Sequence, residues 1–189
     1  MVRELQPKTV ISQRSGWMGD FESQEVGFRG RPKDNADRPY ELCTLLGGDA
    51  WGWTPKSATR IMSLDSCIQL LVRVVTQDGN LILNVGPRAD GSIEPAEVQR
   101  LKEIGGFLSK FGESVYNTRG GIYDEKWGGT TGTDKAIYVH ILKVPSDRTI
   151  TLPPSSRKIA SAVYLRDSGR AAFKQSDAGI SLTFFVSKS

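Results

Sequence analysis

Apolar residues fall into a short buried run flanked by two helical stripes, which predicts an α/β arrangement. The run over residues 81–85 is apolar on both faces except at Asn84, as expected of a strand lying between helices. A helix is predicted before it over residues 64–77, with Ser63 as its N-cap. A second helix is predicted over residues 95–110. This order is typical of a parallel sheet, whose ligand sites lie in loops at the strand ends.

Two further strands are predicted earlier in the chain, over residues 9–12 and 40–46, where apolar and β-branched residues cluster. Residues 13–39 between them show little periodicity and are predicted as one long loop. Loops of that length inside a compact fold are usually functional. Another loop is predicted over residues 47–56, and it carries Trp51 and Trp53.

The pattern changes near residue 120, where short β-forming runs replace the helical stripes. Glycine pairs read as turns between these runs, and no helical stripe remains. The predicted strands cover residues 136–144, 149–152, 159–165, 172–175 and 180–186. We therefore expect two domains, with residues 1–119 forming an α/β unit and residues 120–189 a small antiparallel β-sandwich.

Charge and cysteine content exclude several classes of protein. The net charge is +4, but the basic residues are dispersed, whereas a nucleic-acid site would cluster them. No apolar run reaches the ~18 residues of a membrane span, and the first residues lack the apolar core of a signal peptide. Cys43 and Cys67 have apolar neighbours and are predicted to be buried free thiols.

The sequence offers few groups for nucleophilic or metal chemistry. His140 is the only histidine, and its position within a predicted strand indicates a structural role. Its isolation excludes a Ser-His-Asp triad and a histidine-rich metal site within these residues. The loop after residue 85 has no nucleotide-binding glycine pattern. We expect neither a metal nor a cofactor.

Carboxylates and tryptophans in the predicted loops remain as candidates. The carboxylates are Glu22, Glu25 and Glu41, and the tryptophans are Trp17, Trp51 and Trp53. Paired carboxylates supply the acid, base and nucleophile of glycoside hydrolysis. Aromatic faces stack on the apolar faces of sugar rings. Taken alone, each of these glutamates is more often a surface charge, and each tryptophan is more often a core residue.

Three segments resemble the α-L-fucosidases of glycoside hydrolase family 29, in the same order and at about the same spacing. They are Tyr40-Glu41-Leu42-Cys43-Thr44, Trp51-Gly52-Trp53 and the long Asn84-Val85-Gly86-Pro87-Arg88-Ala89-Asp90-Gly91-Ser92-Ile93. A fourth segment, Gly112-Glu113-Ser114-Val115-Tyr116, follows the second helix. The resemblance extends over roughly residues 9–120.

The resemblance implies a retaining α-L-fucosidase that acts on fucosylated glycans by double displacement. It implies an irregular (β/α)8-type barrel, of which this chain would be a C-terminal part followed by the β-sandwich. The family's acid/base corresponds to Glu25 or to Glu41, and both assignments stay open. Arg14 corresponds to a sugar-binding arginine, and Trp51 to a tryptophan at the rim of the pocket.

The family's nucleophile motif, Trp-x-Asp-Gly, does not occur in this sequence, and the family's sugar-binding histidines are also missing. Three readings follow: a fucosidase part that is catalytically incomplete alone, a non-catalytic carbohydrate-binding or scaffold protein derived from that fold, or a structural partner without a sugar site. In a partial barrel the strand predicted at residues 9–12 would be an uncovered edge, which predicts self-association.

Overall fold

The computed structural model describes residues 2–31 and 38–184, and all statements about structure refer to them. Nine strands form three sheets of three, with α-helices beside the first sheet. The helices are α1 (Val2–Leu5), α2 (Leu64–Thr76) and α3 (Pro95–Phe111). The strands of the first sheet are β1 (Glu22–Glu25), β2 (Tyr40–Leu45) and β3 (Gly79–Asn84).

The first sheet is parallel, in the order β1-β2-β3, and α2 covers one of its faces. Along β2, buried and half-buried residues alternate, because successive side chains point to opposite faces. Tyr40 and Leu42 pack against Val74 of α2, and the Tyr40 hydroxyl donates to the Val74 carbonyl at 3.1 Å. Burial raises the pKa of Tyr40 to about 12.

Helix α2 begins at the N-cap that the sequence predicts, and it ends at Thr76. The Ser63 side chain accepts a hydrogen bond from the Ser66 N–H at 3.1 Å and caps the first turn. After the helix, Asp78 adopts the left-handed conformation, at φ 68°. The next residue, Gly79, begins β3. A Cβ on Gly79 would lie 2.3 Å from Cζ of Tyr40, so glycine is required there for packing.

Helix α3 follows its prediction closely, from Pro95 in the first turn to Phe111. Gly112 follows with right-handed dihedrals and begins a short 3-10 turn. The interior of this region lies between α2, α3 and β2. It is formed by the buried residues Leu46, Cys67 and Ile104.

The strand predicted at residues 9–12 does not form. Only Ser12 bridges to another segment, at Phe21. The reason is local: the Ile11 N–H donates to Oδ2 of Asp20 at 2.8 Å, and the Ile11 carbonyl accepts from the Asp20 N–H at 2.7 Å. A side chain therefore takes a bond that a strand ladder would need. The sheet strand is instead β1, inside the segment predicted as a continuous loop.

The C-terminal part contains two antiparallel sheets. The first consists of β4 (Arg119–Asp124), β5 (Gly128–Gly132) and β6 (Ile137–Ile141), in that order. The second consists of β7 (Thr149–Leu152), β8 (Ala172–Ser176) and β9 (Gly179–Thr183), with β9 in the centre. Both sheets contribute to one apolar cluster around Trp127, Ile150, Leu152, Ile180 and Phe184. The antiparallel β-structure predicted for this part is confirmed.

Two predictions about these strands are wrong. Glycines read as turns lie inside β4 and β5, because the strands approach the end of α2 too closely for a side chain. A Cβ on Gly129 would lie 2.7 Å from the Thr76 Cβ. Residues 159–165 form no strand beyond a bridge between Val163 and Arg170. The chain turns back there, with the Tyr164 N–H donating to the Gly169 carbonyl at 2.8 Å.

The last predicted strand, 180–186, is observed as β9, and its residues beyond 184 lie outside the described part. Both cysteines are free; Cys67 is buried, whereas Cys43 is half-buried. Over residues 2–31 and 38–184, no helix is long and apolar enough to cross a membrane. Within the same residues, no group of three or more potential metal ligands is found.

Candidate active site

The carboxyl ends of β1, β2 and β3 meet at one edge of the sheet, because the three strands are parallel. Glu25 is the last residue of β1, and Asn84 is the last residue of β3. The loop that follows β2 carries Trp51. In α/β barrels, reacting groups lie at this edge.

Glu25 and Arg14 form an ion pair on this side of β1. Arg14 lies in a 3-10 turn, Gln13–Ser15, and its backbone N–H donates to the Ser12 side chain that caps the turn. The Gln13 side chain also donates to the Ser23 carbonyl of β1 at 3.2 Å, which fixes the turn beside the strand. Glu25, one of the two acid/base candidates, and Arg14, the predicted sugar ligand, are thus neighbours, and both stay accessible to solvent.

Glu41 lies in the second position of β2, far from the carboxyl end of that strand. The sheet register pairs Glu41 with Ser23, and Cys43 with Glu25, so these side chains share the face of the sheet opposite α2. The pKa of the Cys43 thiol is raised, first by burial and then by Glu25 and Glu41. Both glutamates therefore raise the pKa of the Cys43 thiol, but only Glu25 lies at the carboxyl end of its strand.

The Trp51 loop is held by contacts to the end of β3. The Asn84 side-chain amide donates to the Trp51 carbonyl at 2.9 Å. Gly86 lets the two loops touch, because a Cβ there would lie 2.4 Å from the carbonyl carbon of Gly52. The Trp51 side chain keeps 40% of its surface exposed. The backbone of Trp51 is therefore held beside the strand ends, while its aromatic ring stays accessible.

Trp53, one of the candidate tryptophans, also lies at this edge, together with Arg88 and Glu94, which the sequence did not single out. The Trp53 indole N–H donates to Oε2 of Glu94 at 3.2 Å, and Arg88 contacts the same oxygen at 2.6 Å. The hydrogen bond from Trp53, and then that from Arg88, lowers the pKa of Glu94. The spacing Trp51-Gly52-Trp53 was the only sequence signal, since Glu94 lies 41 residues away along the chain.

His140 lies outside this edge, within β6 and opposite Gly129 of β5. The Thr131 hydroxyl donates to the Ser114 carbonyl at 2.6 Å and lies 2.9 Å from Nε2 of His140. Because a hydroxyl has one proton to give, Nε2 is the donor to Thr131. Burial lowers the pKa of His140 to about 4. The histidine is thus a neutral packing residue, as its position in the sequence predicted.

Carboxylates and an aromatic rim at the ends of parallel strands are the groups that glycoside hydrolases use. Comparison with known proteins agrees with this class. The Alpha-L-fucosidase family profile matches residues 1–113. The chain belongs to the alpha-L-fucosidase family.

Individual relatives cover much of this chain but only part of their own length. The tissue alpha-L-fucosidase of Rattus norvegicus is 31% identical over 140 residues, which are 71% of this chain and 30% of the relative. The Homo sapiens tissue enzyme is 30% identical over 129 residues, covering 65% of this chain and 27% of the relative. The chain therefore spans about 30% of the curated relatives it matches.

Among solved structures, the chain corresponds to about half of the matched molecule. Alpha-L-fucosidase isoenzyme 1 from Paenibacillus thiaminolyticus superposes with a TM-score of 0.81 at 25% identity, covering 100% of this chain and 49% of that one. A family 29 alpha-L-fucosidase from Bacteroides thetaiotaomicron gives a TM-score of 0.83 at 20% identity, and 47% of it is covered.

Proposed function

We propose that this chain carries the acid/base and part of the sugar pocket of a retaining α-L-fucosidase, and that its first sheet is part of a (β/α)8-type barrel. The observation that carries this is the position of Glu25 at the carboxyl end of β1, paired with Arg14. The nucleophile comes from outside these residues, since no Trp-x-Asp-Gly motif occurs among them. On its own, the chain binds fucose but does not hydrolyse fucosides.

The uncovered face of the first sheet supports the barrel. Parallel sheets are normally covered on both faces. Here α2 covers one face, whereas the opposite face keeps Ile82 43% exposed beside half-buried Glu41 and Cys43. The remaining strands of a closed barrel would cover this face, as parallel sheets require. We also propose that the chain divides near Arg119 into the barrel part and the β-sandwich.

Glu25 is favoured over Glu41 as the acid/base because of where each lies on its strand. Reacting groups in barrel enzymes project from the carboxyl ends of strands. Glu25 is the final residue of β1, whereas Glu41 is the second residue of β2 and points to the face below that edge. Glu41 then contributes to the pocket floor and does not transfer the proton.

Glu25 would act twice in the proposed reaction. In the first step its carboxylic acid gives a proton to the glycosidic oxygen, while an aspartate supplied from outside these residues attacks the anomeric carbon. In the second step the Glu25 carboxylate takes a proton from water, which displaces the enzyme aspartate. Arg14 donates hydrogen bonds to sugar hydroxyls beside Glu25, and Trp51 packs on the apolar face of fucose.

A chimera tests this assignment. The chain is joined to the part of the Paenibacillus fucosidase that it does not cover, and turnover of an aryl α-L-fucoside is measured. Glu25→Gln should lower kcat/KM by roughly 10²–10⁴-fold for a substrate that needs protonation of its leaving group. With an activated aryl fucoside, whose departure needs no acid, azide should restore turnover as fucosyl azide, because this anion attacks the fucosyl–aspartate intermediate without a general base. Glu41→Gln is the matched control. If Glu41→Gln instead lost turnover and azide restored it, Glu41 would be the acid/base.

A further inference from the structure

Trp53, Arg88 and Glu94 form a cluster, which we call the Trp53 platform, that the proposed chemistry does not use. Oε2 of Glu94 accepts the Trp53 indole N–H at 3.2 Å and pairs with Arg88 at 2.6 Å. The Arg88 guanidinium carbon lies 5.6 Å from the centre of the Trp53 ring. One carboxylate therefore holds an indole and a guanidinium against each other.

The three residues of the Trp53 platform differ in how much of their surface is exposed to solvent. The Glu94 side chain is only 8% exposed, whereas that of Arg88 is 40% exposed and Trp53 retains 38%. The anchoring group is therefore buried, and the aromatic surface and the cation face solvent. The Trp53 platform therefore offers a ring surface for stacking and a cation for hydrogen bonding, both held by a buried carboxylate.

The Trp53 platform lies beside the sugar pocket and outside it. Trp53 is two residues from Trp51, on the same loop after β2. The close approach of Gly86 to Gly52 and Trp53 fixes this loop on the end of β3. Arg88 and Glu94 come from the connection between β3 and α3. The platform is thus at the edge where Glu25 ends β1, displaced toward β3.

We infer that the Trp53 platform binds the pyranose residue to which fucose is attached, on the leaving-group side of the pocket. This rests on the proposed function. An indole face packs on the C–H groups of a pyranose, and the Arg88 guanidinium beside it donates hydrogen bonds to equatorial hydroxyls. Glu94 is a positioning residue, because it orients the indole and the guanidinium without reaching the sugar.

Saturation-transfer NMR of the full 189-residue chain with α-L-fucosyl-(1→2)-D-galactose tests this directly, since each sugar reports separately. Protons of both rings should receive saturation from the native chain. Trp53→Ala should remove saturation of the galactose protons while fucose protons keep theirs, and should weaken disaccharide binding roughly 3- to 10-fold. Affinity for free α-L-fucose should not change.

Tyr116→Ala is the matched control. Tyr116 is also an exposed aromatic residue, but it follows the end of α3, at the opposite edge of the sheet. Its loss should leave both sugars saturated. The positioning role of Glu94 has its own readout in the four tryptophan indole N–H signals. Glu94→Ala should shift the Trp53 signal and reduce its response to disaccharide, and Glu94→Gln, which keeps an acceptor oxygen, should partly restore that response.

The outcomes separate the two proposals. Saturation of fucose alone, unaffected by Trp53→Ala, would overturn the platform and leave the proposed function standing. Saturation of galactose alone, lost in Trp53→Ala, would support the platform and contradict the fucose pocket. Absence of saturation on both rings would contradict both.

Discussion

The side chain of Asp78 accepts a hydrogen bond from the backbone N–H of Gly120 at 2.8 Å, joining the end of α2 to the first antiparallel strand. The same carboxylate pairs with Arg119. A Cβ on Gly120 would lie 2.3 Å from the Asp78 backbone nitrogen. This contact spans the boundary expected from the sequence, so the two parts support each other's stability.

Gly120→Ala should therefore destabilise the protein by about 1–3 kcal/mol, because the added methyl group must displace backbone atoms. Gly106→Ala is the matched control. Gly106 lies within α3 with open space where a Cβ would be. That change should stabilise the protein by about 0.5–1 kcal/mol, since alanine favours a helix. Urea unfolding of both variants measures the difference, and equal effects would contradict the close approach at Gly120.

The strands around Gly120 also show where sequence reasoning fails. Helices α2 and α3 were predictable because their apolar stripes and caps are local signals. Glycines of β4 and β5 were predicted to form turns. Glycine is needed there because the strands pack closely against the end of α2, which is distant in the sequence. The segment 9–12 had the composition of a strand, but Asp20 takes its backbone bonds.

The candidate site divides in the same way. Arg14, Glu25, Glu41 and Trp51 were found by resemblance to a family, and the ion pair between Arg14 and Glu25 emerged only from the fold. The link from Trp53 to Glu94 depends on two loops meeting at the end of β3. No periodicity or short motif in the sequence predicts that these two loops come into contact.

His140 predicts a loss of stability in acid. Burial lowers its pKa from 6.5 to about 4, a difference that corresponds to about 3 kcal/mol. The unfolded chain binds the proton more readily, so this contribution is complete above pH 6.5 and is lost as pH falls toward 4. His140→Gln should flatten the dependence in that range. Unfolding free energies at pH 7, 5.5 and 4.5 measure it, and an unchanged slope would exclude a buried neutral histidine.

Glu97 predicts that stability falls as pH rises, which is the opposite of the effect of His140. It is fully buried, and both of its carboxylate oxygens lack a hydrogen-bond partner among the described residues. Burial, and then the charge of Glu94, raises its pKa above 4.5. The folded state thus holds the proton more tightly, and this contribution is present below pH 4.5 and lost as pH rises through the folded pKa.

Glu97→Gln should therefore stabilise the protein at pH 8, by on the order of 1–3 kcal/mol. The gain should shrink as pH falls toward 4.5. Glu113→Gln, also a glutamate in the α3 region but exposed, serves as the control and should show no such trend. A gain independent of pH would mean that Glu97 does not titrate in the folded protein.

The uncovered face of the first sheet predicts self-association of the isolated chain. Ile82 is exposed there, and the outer edge of β3 has no neighbouring strand among the described residues. Sedimentation velocity should show mass increasing with concentration. Ile82→Lys should shift the protein toward monomer, whereas Val163→Lys, at an exposed position in the C-terminal part, should not. A strictly monomeric native chain would contradict this prediction.

The incomplete site is tested most directly by incubating the purified 189-residue chain with an aryl α-L-fucoside and measuring release of the aryl alcohol. The structure groups Glu25 and Arg14 at a strand end, and the sequence has no Trp-x-Asp-Gly nucleophile motif. We predict that release does not exceed that of a buffer blank. Release that is abolished by Glu25→Gln would contradict the account, because a complete pair of reacting carboxylates would then lie within this chain.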